Sequence, residues 1–576
     1  MLKSSILDVK IYQSYIKHFF RRYWYFLLVF PPVVLFLACT FFTSEIAGFI
    51  MQLSPPSSEQ GPSFYTDFVN LAAKEILWIS LFFFLAFALT IYPSDTALKQ
   101  FFALDLGLRL KVYSGICCIV FLGASIITAF QTLEVFPNSS NEYAYLVQAE
   151  MFSRGKLWER SHSLPDFFYF NNMIQQDGIM VSRYLPGWPL FMSLAFGIGV
   201  SPAFVNPVLG LLALIVLYFL ARKCHGESVA FWSLIGVAFT GYYVFQSASY
   251  VSHVLSALLS LLFVANIYLY QRNQSILYGL LAGFCLGLMA ITRCYSALLV
   301  FLPFMICITF QYRARALRLF FMMLLGAMPS VAYFLWYNYS ITGDPFQTVT
   351  LWAHPLQHPG FVRGHNFVKA AEHLARWGFM FMYWVSPGLL ILYLFLLWGK
   401  IRSATERFLY PEDYIFSSLA LGYFFYFQIG GNQYGPRFLF EGFPFLVLFI
   451  VRQIYHMRTK WLMAFFTASV LLAVMKFGFI SDREDLIIDQ RQDLFNLTKE
   501  YELSNAVVIV SSGTSPIRPM PPDDLTRNDH KFQNDVIYAL DIPHISEQLM
   551  DYYPDRAFYK YVREADYVNG KLIKIK

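Results

Sequence analysis

FPNSSNEYAYLVQAEMFSRGKLW, residues 136–158, comes directly after VYSGICCIVFLGASIITAF, residues 112–130. The earlier run is long enough to cross a hydrocarbon core, which takes about 20 mostly apolar residues. The later one is the first long stretch to mix charge, amide and aromatic groups. Ionisable residues near membrane depth are expensive and mark functional sites by default. Within it, Tyr143–Lys156 has helical spacing, with Tyr143, Val147, Glu150, Met151 and Arg154 on or near one face. This spacing predicts an amphipathic helix lying along the membrane surface.

The rest of the chain agrees with a bilayer home. Of 576 residues, 57% are hydrophobic and 19% aromatic, while 14% are charged; soluble domains carry about 25% charged residues. The expected class is a polytopic α-helical membrane protein with a small C-terminal α/β domain. A net charge of +6 does not suggest nucleic acid. All seven cysteines lie in or near apolar runs, which excludes a disulfide framework or thiolate zinc site in the soluble parts. Lys3, Lys10, Lys17, Arg21 and Arg22 precede the first apolar run with no small-residue cleavage site, the pattern of an uncleaved signal anchor.

About thirteen runs have the length and composition of spans: 23–42, 75–93, 112–130, 202–221, 228–246, 253–271, 276–292, 295–311, 319–337, 379–398, 414–430, 438–456 and 461–480. The Pro-broken segment 186–200 reads as half-length or re-entrant. Arg222 and Lys223, Arg272, Arg313 with Arg315 and Arg318, Lys400 with Arg402 and Arg407, and Arg452 with Arg458 and Lys460 then all fall on the side of the basic N-terminus. By the positive-inside rule that side is cytoplasmic and the C-terminus is not. Three regions follow: residues 1–111, a tail with two additional spans; 112–480, the main membrane domain with an outer loop at 131–201; and 481–576, an extracytoplasmic α/β domain. In the last, DLIIDQRQDLFNLTKEYEL reads as helix, and AVVIVSSG, DVIYALDI and the runs around an Asn-Gly turn read as strands.

Polar constellations recur at span ends on the outer side: Asn141-Glu142 with Tyr145 and Glu150, RYLPGW at 183–188, Ser252-His253, Thr292-Arg293 with Tyr295, TGDPF at 342–346, and NQYGPRFLFE at 432–441. Their convergence predicts one outward-facing cavity. A loop of about 70 residues at 131–201 is too long for a passive connector.

NEYAYLVQAEMF, RYLPGWPLF, NYSITGDPF and GNQYGPRFLFE, in this order, resemble family 39 glycosyltransferases, the bacterial relatives of dolichyl-phosphate-mannose–protein mannosyltransferases in the GT-C superfamily. The resemblance runs from about residue 112 to the end and includes SSGTSPI and DLTRND in the tail. It implies a GT-C-like fold in a bacterial inner membrane and inverting transfer of a sugar, mannose or similar. The donor would be a polyprenyl-phosphate-linked sugar drawn from the membrane lipid, and the acceptor a glycan, lipid or protein. No cofactor is firmly implied, and a divalent cation is left open. The family's acidic pair, Asp then Glu, falls on Asn141 and Glu142, so this chain has an amide where the catalytic base is expected.

A sugar hydroxyl needs a carboxylate to take its proton, and an amide can only orient it. Glu142 is therefore the candidate base and Asn141 an acceptor contact. Arg437 and Arg293 are the candidates to hold the donor phosphate, which guanidinium binds in bidentate fashion. Tyr145, Tyr184, Trp188, Gln433, Tyr434 and Asp344 are candidate substrate contacts. Each has a plainer reading. Glu142 would complement a helix N-terminus, and Asn141 or either preceding serine would cap it. Arg437 would snorkel, Arg293 would form an ion pair, and Asp344 would shape a turn. Glu441, one helical turn past Arg437, would pair with it. His253 reads as a core histidine, and His354, His358, His365 and His373 match no zinc spacing. The alternative function is a catalytically degenerate protein that binds or transports lipid-linked glycans.

Overall fold

The computed structural model describes residues 77–78 and 108–576, apart from 313, 356–357, 404–408, 431–432, 458–459, 514–519, 544 and 564–568. The expected span 23–42 and all but two residues of 75–93 lie outside the described residues, as does nearly all of the N-terminal region 1–111.

Helix α1 (Leu108–Ile127) leads through a π-turn to α2 (Ser140–Ser153). Three short strands follow, β1 (Glu159–Arg160), β2 (Met173–Gln176) and β3 (Ile179–Ser182), forming an antiparallel sheet of order β1-β3-β2. Helix α3 (Gly187–Gly197) is eleven residues long. The bundle continues with α4 (Val205–His225), α5 (Glu227–Ala238), α6 (Gly241–Ala248), α7 (His253–Asn273), α8 (Ile276–Tyr312) and α9 (Ala314–Thr342). It is completed by α10 (Phe367–Trp384), α11 (Pro387–Arg402), α12 (Ile415–Tyr423), α13 (Phe443–Met457) and α14 (Lys460–Glu500).

Seven helices among the described residues are long and apolar enough to cross a membrane, or eight if α5 and α6, bent by 66°, count as one. The expected thirteen are not reproduced, and the differences have local causes. Residues 379–398 are split where α10 stops at Trp384 and α11 restarts behind the Ser386-Pro387 cap. Residues 414–430 hold only the nine-residue α12. Residues 276–292 and 295–311 differ only in the count: they are the two limbs of α8, on either side of a single non-helical residue, Arg293, at φ −149°, ψ 79°. The join is a reversal. Met322 of α9 faces Gly279, while Phe320, two residues earlier, packs on Phe301 with ring centroids 5.8 Å apart. In one straight helix, residues 279 and 301 would lie about 33 Å apart, so the chain turns back at Arg293. Helices α8 and α9 approach so closely that a Cβ at Gly283 or Gly326 would meet the partner's backbone, the small-residue packing on which membrane helices depend.

Helix α2 is not an amphipathic surface helix. Ser140, Glu142, Ala144, Tyr145, Val147, Gln148, Ala149 and Met151 are buried, because other elements cover it on several sides, including α3 and β3. The tail forms a sheet of order β5-β4-β6-β7 from β4 (Ala506–Val510), β5 (Val536–Leu540), β6 (Ala557–Val562) and β7 (Lys571–Lys574), the first three parallel and the last antiparallel. One face packs Val507, Ile509, Ile537 and Phe558 against Phe167 and Phe168 of the outer loop. The other packs Val508, Val510 and Tyr561 with Leu494 of α14. Each such apolar side chain contributes roughly 1.5–3 kcal/mol, so the tail and the 131–201 loop share a core.

Candidate functional site

The site is built from the first turn of α2. Ser139 is the N-cap. Its Oγ accepts from the Glu142 amide at 3.3 Å and donates to Glu142 Oε1 at 3.0 Å, a Ser-x-x-Glu capping box in which the carboxylate takes the hydroxyl proton. The Tyr250 amide donates to Glu142 Oε2 at 3.3 Å. Glu142 is 1% exposed. Burial pushes its carboxyl above the usual range, while Ser139, the Tyr250 amide and the Arg437 and Arg527 charges pull it back. Asn141 is half-buried and does not cap; its Oδ1 accepts from Asn172 Nδ2 at 2.9 Å, and the same nitrogen reaches Ser140 Oγ at 2.7 Å.

Arg437 opens the 3-10 turn Arg437–Gly442 that feeds α13. It is buried, with Nε donating to the Gly430 carbonyl at 2.5 Å. Among the described residues no carboxylate oxygen lies within 4.0 Å of its guanidinium. It is within electrostatic reach of Glu142, Tyr145, Tyr184 and Arg293. The Tyr145 and Tyr184 rings are 4.7 Å apart, and Tyr145 Oη is 3.5 Å from Ser252 Oγ.

Arg293 is engaged within the fold. Its Nε is 2.7 Å from Glu441 Oε1, and its other nitrogens meet His253 at 3.3 Å and Tyr423 at 3.1 Å. Glu441 thus pairs with Arg293 and not with Arg437. The reason is helical type: the i,i+4 neighbours of an α-helix lie on one face, but in a 3-10 turn residues i and i+3 eclipse and i+4 points about 120° away. Trp188 is 1% exposed and spends its indole N–H on the Tyr250 carbonyl at 2.7 Å, so it braces the α6–α7 junction. Gln433 donates to the Asn138 carbonyl at 2.9 Å, and Asn138 Nδ2 donates to Tyr434 Oη at 3.1 Å; both hold the segment entering α2. Asp344 is exposed, its Oδ1 accepting from the Phe346 amide at 2.9 Å, an Asx turn. Among the described residues no three His, Cys, Asp or Glu gather to hold a metal ion; of the four loop histidines, His365 and His373 stack at 5.1 Å.

Arg527 escaped the sequence reading. It comes from DLTRND in the tail, is 6% exposed, and lies 4.5 Å over Phe136, 5.2 Å over Tyr143 and 5.7 Å over Phe495. Burial lowers its pKa to about 10. Only the DLTRND resemblance hinted at it, since nothing local says that this loop returns to α2.

These elements define a polytopic α-helical membrane protein with seven or eight long apolar helices and a four-stranded C-terminal sheet among the described residues. The chain is similar to the crystal structure of ArnT from Cupriavidus metallidurans bound to undecaprenyl phosphate, with TM-score 0.50 and 10% identity over 79% of this chain and 97% of that one. It is also similar to the apo state of the same protein (TM-score 0.47, 11% identity, 76% and 88%). A third likeness is to the Archaeoglobus fulgidus oligosaccharyltransferase in complex with Zn and sulfate (TM-score 0.43, 13% identity, 68% and 60%). At such identities the likeness is one of fold, and it does not single out family 39. A family model described as "Domain of unknown function (DUF7846)" matches residues 506–571. No curated protein matches the chain in sequence.

Proposed function

We propose that the protein is an integral-membrane glycosyltransferase that moves a sugar, mannose or similar, from a polyprenyl-phosphate donor to a glycan, lipid or protein acceptor. The observation that carries this reading is Arg437, a buried guanidinium beside Glu142 with no carboxylate partner among the described residues. Burying a cation without a counter-ion is costly, and a phosphate ester supplies the missing charge. Arg437 would hold that phosphate, with Arg293 positioned behind it through Glu441. Tyr145 and Tyr184 would flank the sugar, and Asn141 would meet the acceptor. Glu142 would accept the acceptor's proton as attack proceeds. Residues 481–576 would form an extracytoplasmic domain and the N-terminus would be cytoplasmic. The orientation is supported by Cys224, next to Lys223, lying in electrostatic reach of Arg272, Glu412 and Arg452, which brings several basic clusters to the end opposite Arg437.

A specific observation favours the second reading, a protein that binds or transports lipid-linked glycans without catalysis: the Glu142 carboxylate is already taken up by the Ser139 cap and the Tyr250 amide, and position 141 is an amide. Sugar transfer from a polyprenyl-phosphate donor by purified wild-type, Glu142→Gln and Asn141→Asp protein decides. The transferase reading expects turnover in the wild type and its loss in Glu142→Gln. No turnover in the wild type with gain in Asn141→Asp establishes the binding reading.

A further inference from the structure

The loop at 521–534, between β4 and β5 and inside the segment matched by the domain of unknown function, docks on the first turn of α2. Tyr143 Oη donates to the Asn528 carbonyl at 2.5 Å, Thr526 Oγ1 donates to the Tyr169 carbonyl at 2.7 Å, and His530 Nδ1 is 3.6 Å from Glu150 Oε2. At the centre of this contact is Arg527. Three aromatic faces surround its guanidinium, Nε donates to the Asp524 carbonyl at 2.9 Å, and Nη1 has no partner. No carboxylate among the described residues lies within 4.0 Å of it.

As a docking pin this is wasteful. An apolar side chain would fill a box of Phe136, Tyr143 and Phe495 without taking a charge out of water. A cation in a dry place with no direct ion pair acts at longer range, because little water screens it. The residues it touches, Phe136 and Tyr143, bracket the turn that carries Glu142.

We propose that the C-terminal sheet unit is integral to the working site: its Arg527 is a positioning residue that fixes the start of α2 and, together with Arg437, places positive charge around the Glu142 carboxyl. The inference rests on the reading of Glu142 as the proton acceptor. The charged and titratable groups concerned are few. Glu142 faces Arg437 and Arg527 beside the Ser139 hydroxyl and the Tyr250 amide. Arg527 faces Asp524, Tyr143 and Glu142. Asp524 faces Asp523, Arg491 and Ser140, and Tyr143 faces Asp529, Glu150 and Tyr538.

The test is an infrared titration of the Glu142 carboxyl band in the full-length protein, with the band assigned by its loss in Glu142→Gln, together with the pH profile of kcat. Arg527→Met keeps length and packing but removes the charge; Arg527→Lys keeps the charge. The expected result is a Glu142 ionisation midpoint raised by about one pH unit in Arg527→Met, tenfold in proton affinity. The acid limb of kcat should move the same way with donor KM unchanged, and Arg527→Lys should restore both. Thr526→Ala, which loosens docking without changing charge, should leave the midpoint in place. An unshifted midpoint in Arg527→Met, or an equal shift in Thr526→Ala, overturns the proposal. Absence of turnover in the wild type would instead count against the transferase reading, and the infrared midpoint would still judge Arg527.

Discussion

At one end of the bundle Lys400, Glu412, Asp413 and Arg452 are buried together; at the other, Glu142, Arg293, Arg437, Glu441 and Arg527 are. In the first group Lys400 and Arg452 both contact Asp413 Oδ2, Tyr268 donates to Glu412 Oε1 at 2.7 Å, and the Arg452 and Lys400 charges lie 4.1 and 4.6 Å over the rings of Tyr410 and Tyr414. Two cations meet two carboxylates, and nothing is left over. In the second group Arg293 and Glu441 close on each other, and Arg527 has Asp524 and Glu142 in electrostatic reach. Arg437 has Glu142 nearby but no carboxylate oxygen within 4.0 Å among the described residues. The first cluster is a finished structural bolt. The second leaves Arg437 without a carboxylate contact among the described residues, and an incoming phosphate would provide the anion. Burial by itself therefore does not separate structure from function; the local balance of charge does.

The largest effect should follow from breaking the balanced cluster. Asp413→Ala leaves Lys400 and Arg452 buried with Glu412 as their one remaining carboxylate, at a cost of about 3–5 kcal/mol, read as a large fall in the thermal unfolding midpoint in detergent. Breaking the unbalanced cluster at Arg437 should do the reverse. Arg437→Ala should leave the unfolding midpoint nearly unchanged or raise it, yet weaken donor binding by about 2–3 kcal/mol, the worth of a hydrogen bond to a charged group. Ser139→Ala removes the cap of α2 and should cost about 1 kcal/mol, with a matching drop in transfer.

A smaller effect comes from Asp524, pushed up to about 6 by burial against the pull of Arg527 and Arg491. Its folded form binds a proton more tightly than the unfolded chain, so its contribution to stability falls as pH rises from about 4 to about 6. Asp524→Asn should flatten that stretch of the curve of unfolding midpoint against pH. Asp344→Ala, at the exposed turn, should change neither transfer nor stability measurably.

Much of this was legible in the chain. The helix after Asn138, the half-length α3, the helical start of the tail and the strands at 506–510 and 536–540 follow from periodicity and capping residues. What periodicity could not show was tertiary. The turn between 276–292 and 295–311 was legible as a gap between spans, but not that a single residue, Arg293, makes it. The Arg293–Glu441 pair joins positions far apart in sequence, and the nearer partner suggested by i,i+4 spacing is lost because residues 437–442 wind as 3-10 helix. Arg527 was invisible for the same reason: its neighbours Phe136 and Tyr143 lie almost four hundred positions earlier.

The central claim is that Arg437 is an unpaired cation awaiting a phosphate. Binding of a polyprenyl-phosphate donor to the purified full-length protein, compared between wild type, Arg437→Lys and Arg437→Ala in vesicles of one fixed composition, tests it most directly. Arg437→Ala is expected to lose about 30- to 150-fold in affinity, the equivalent of about 2–3 kcal/mol, with partial retention in Arg437→Lys. Equal donor affinity in wild type and Arg437→Ala would contradict it.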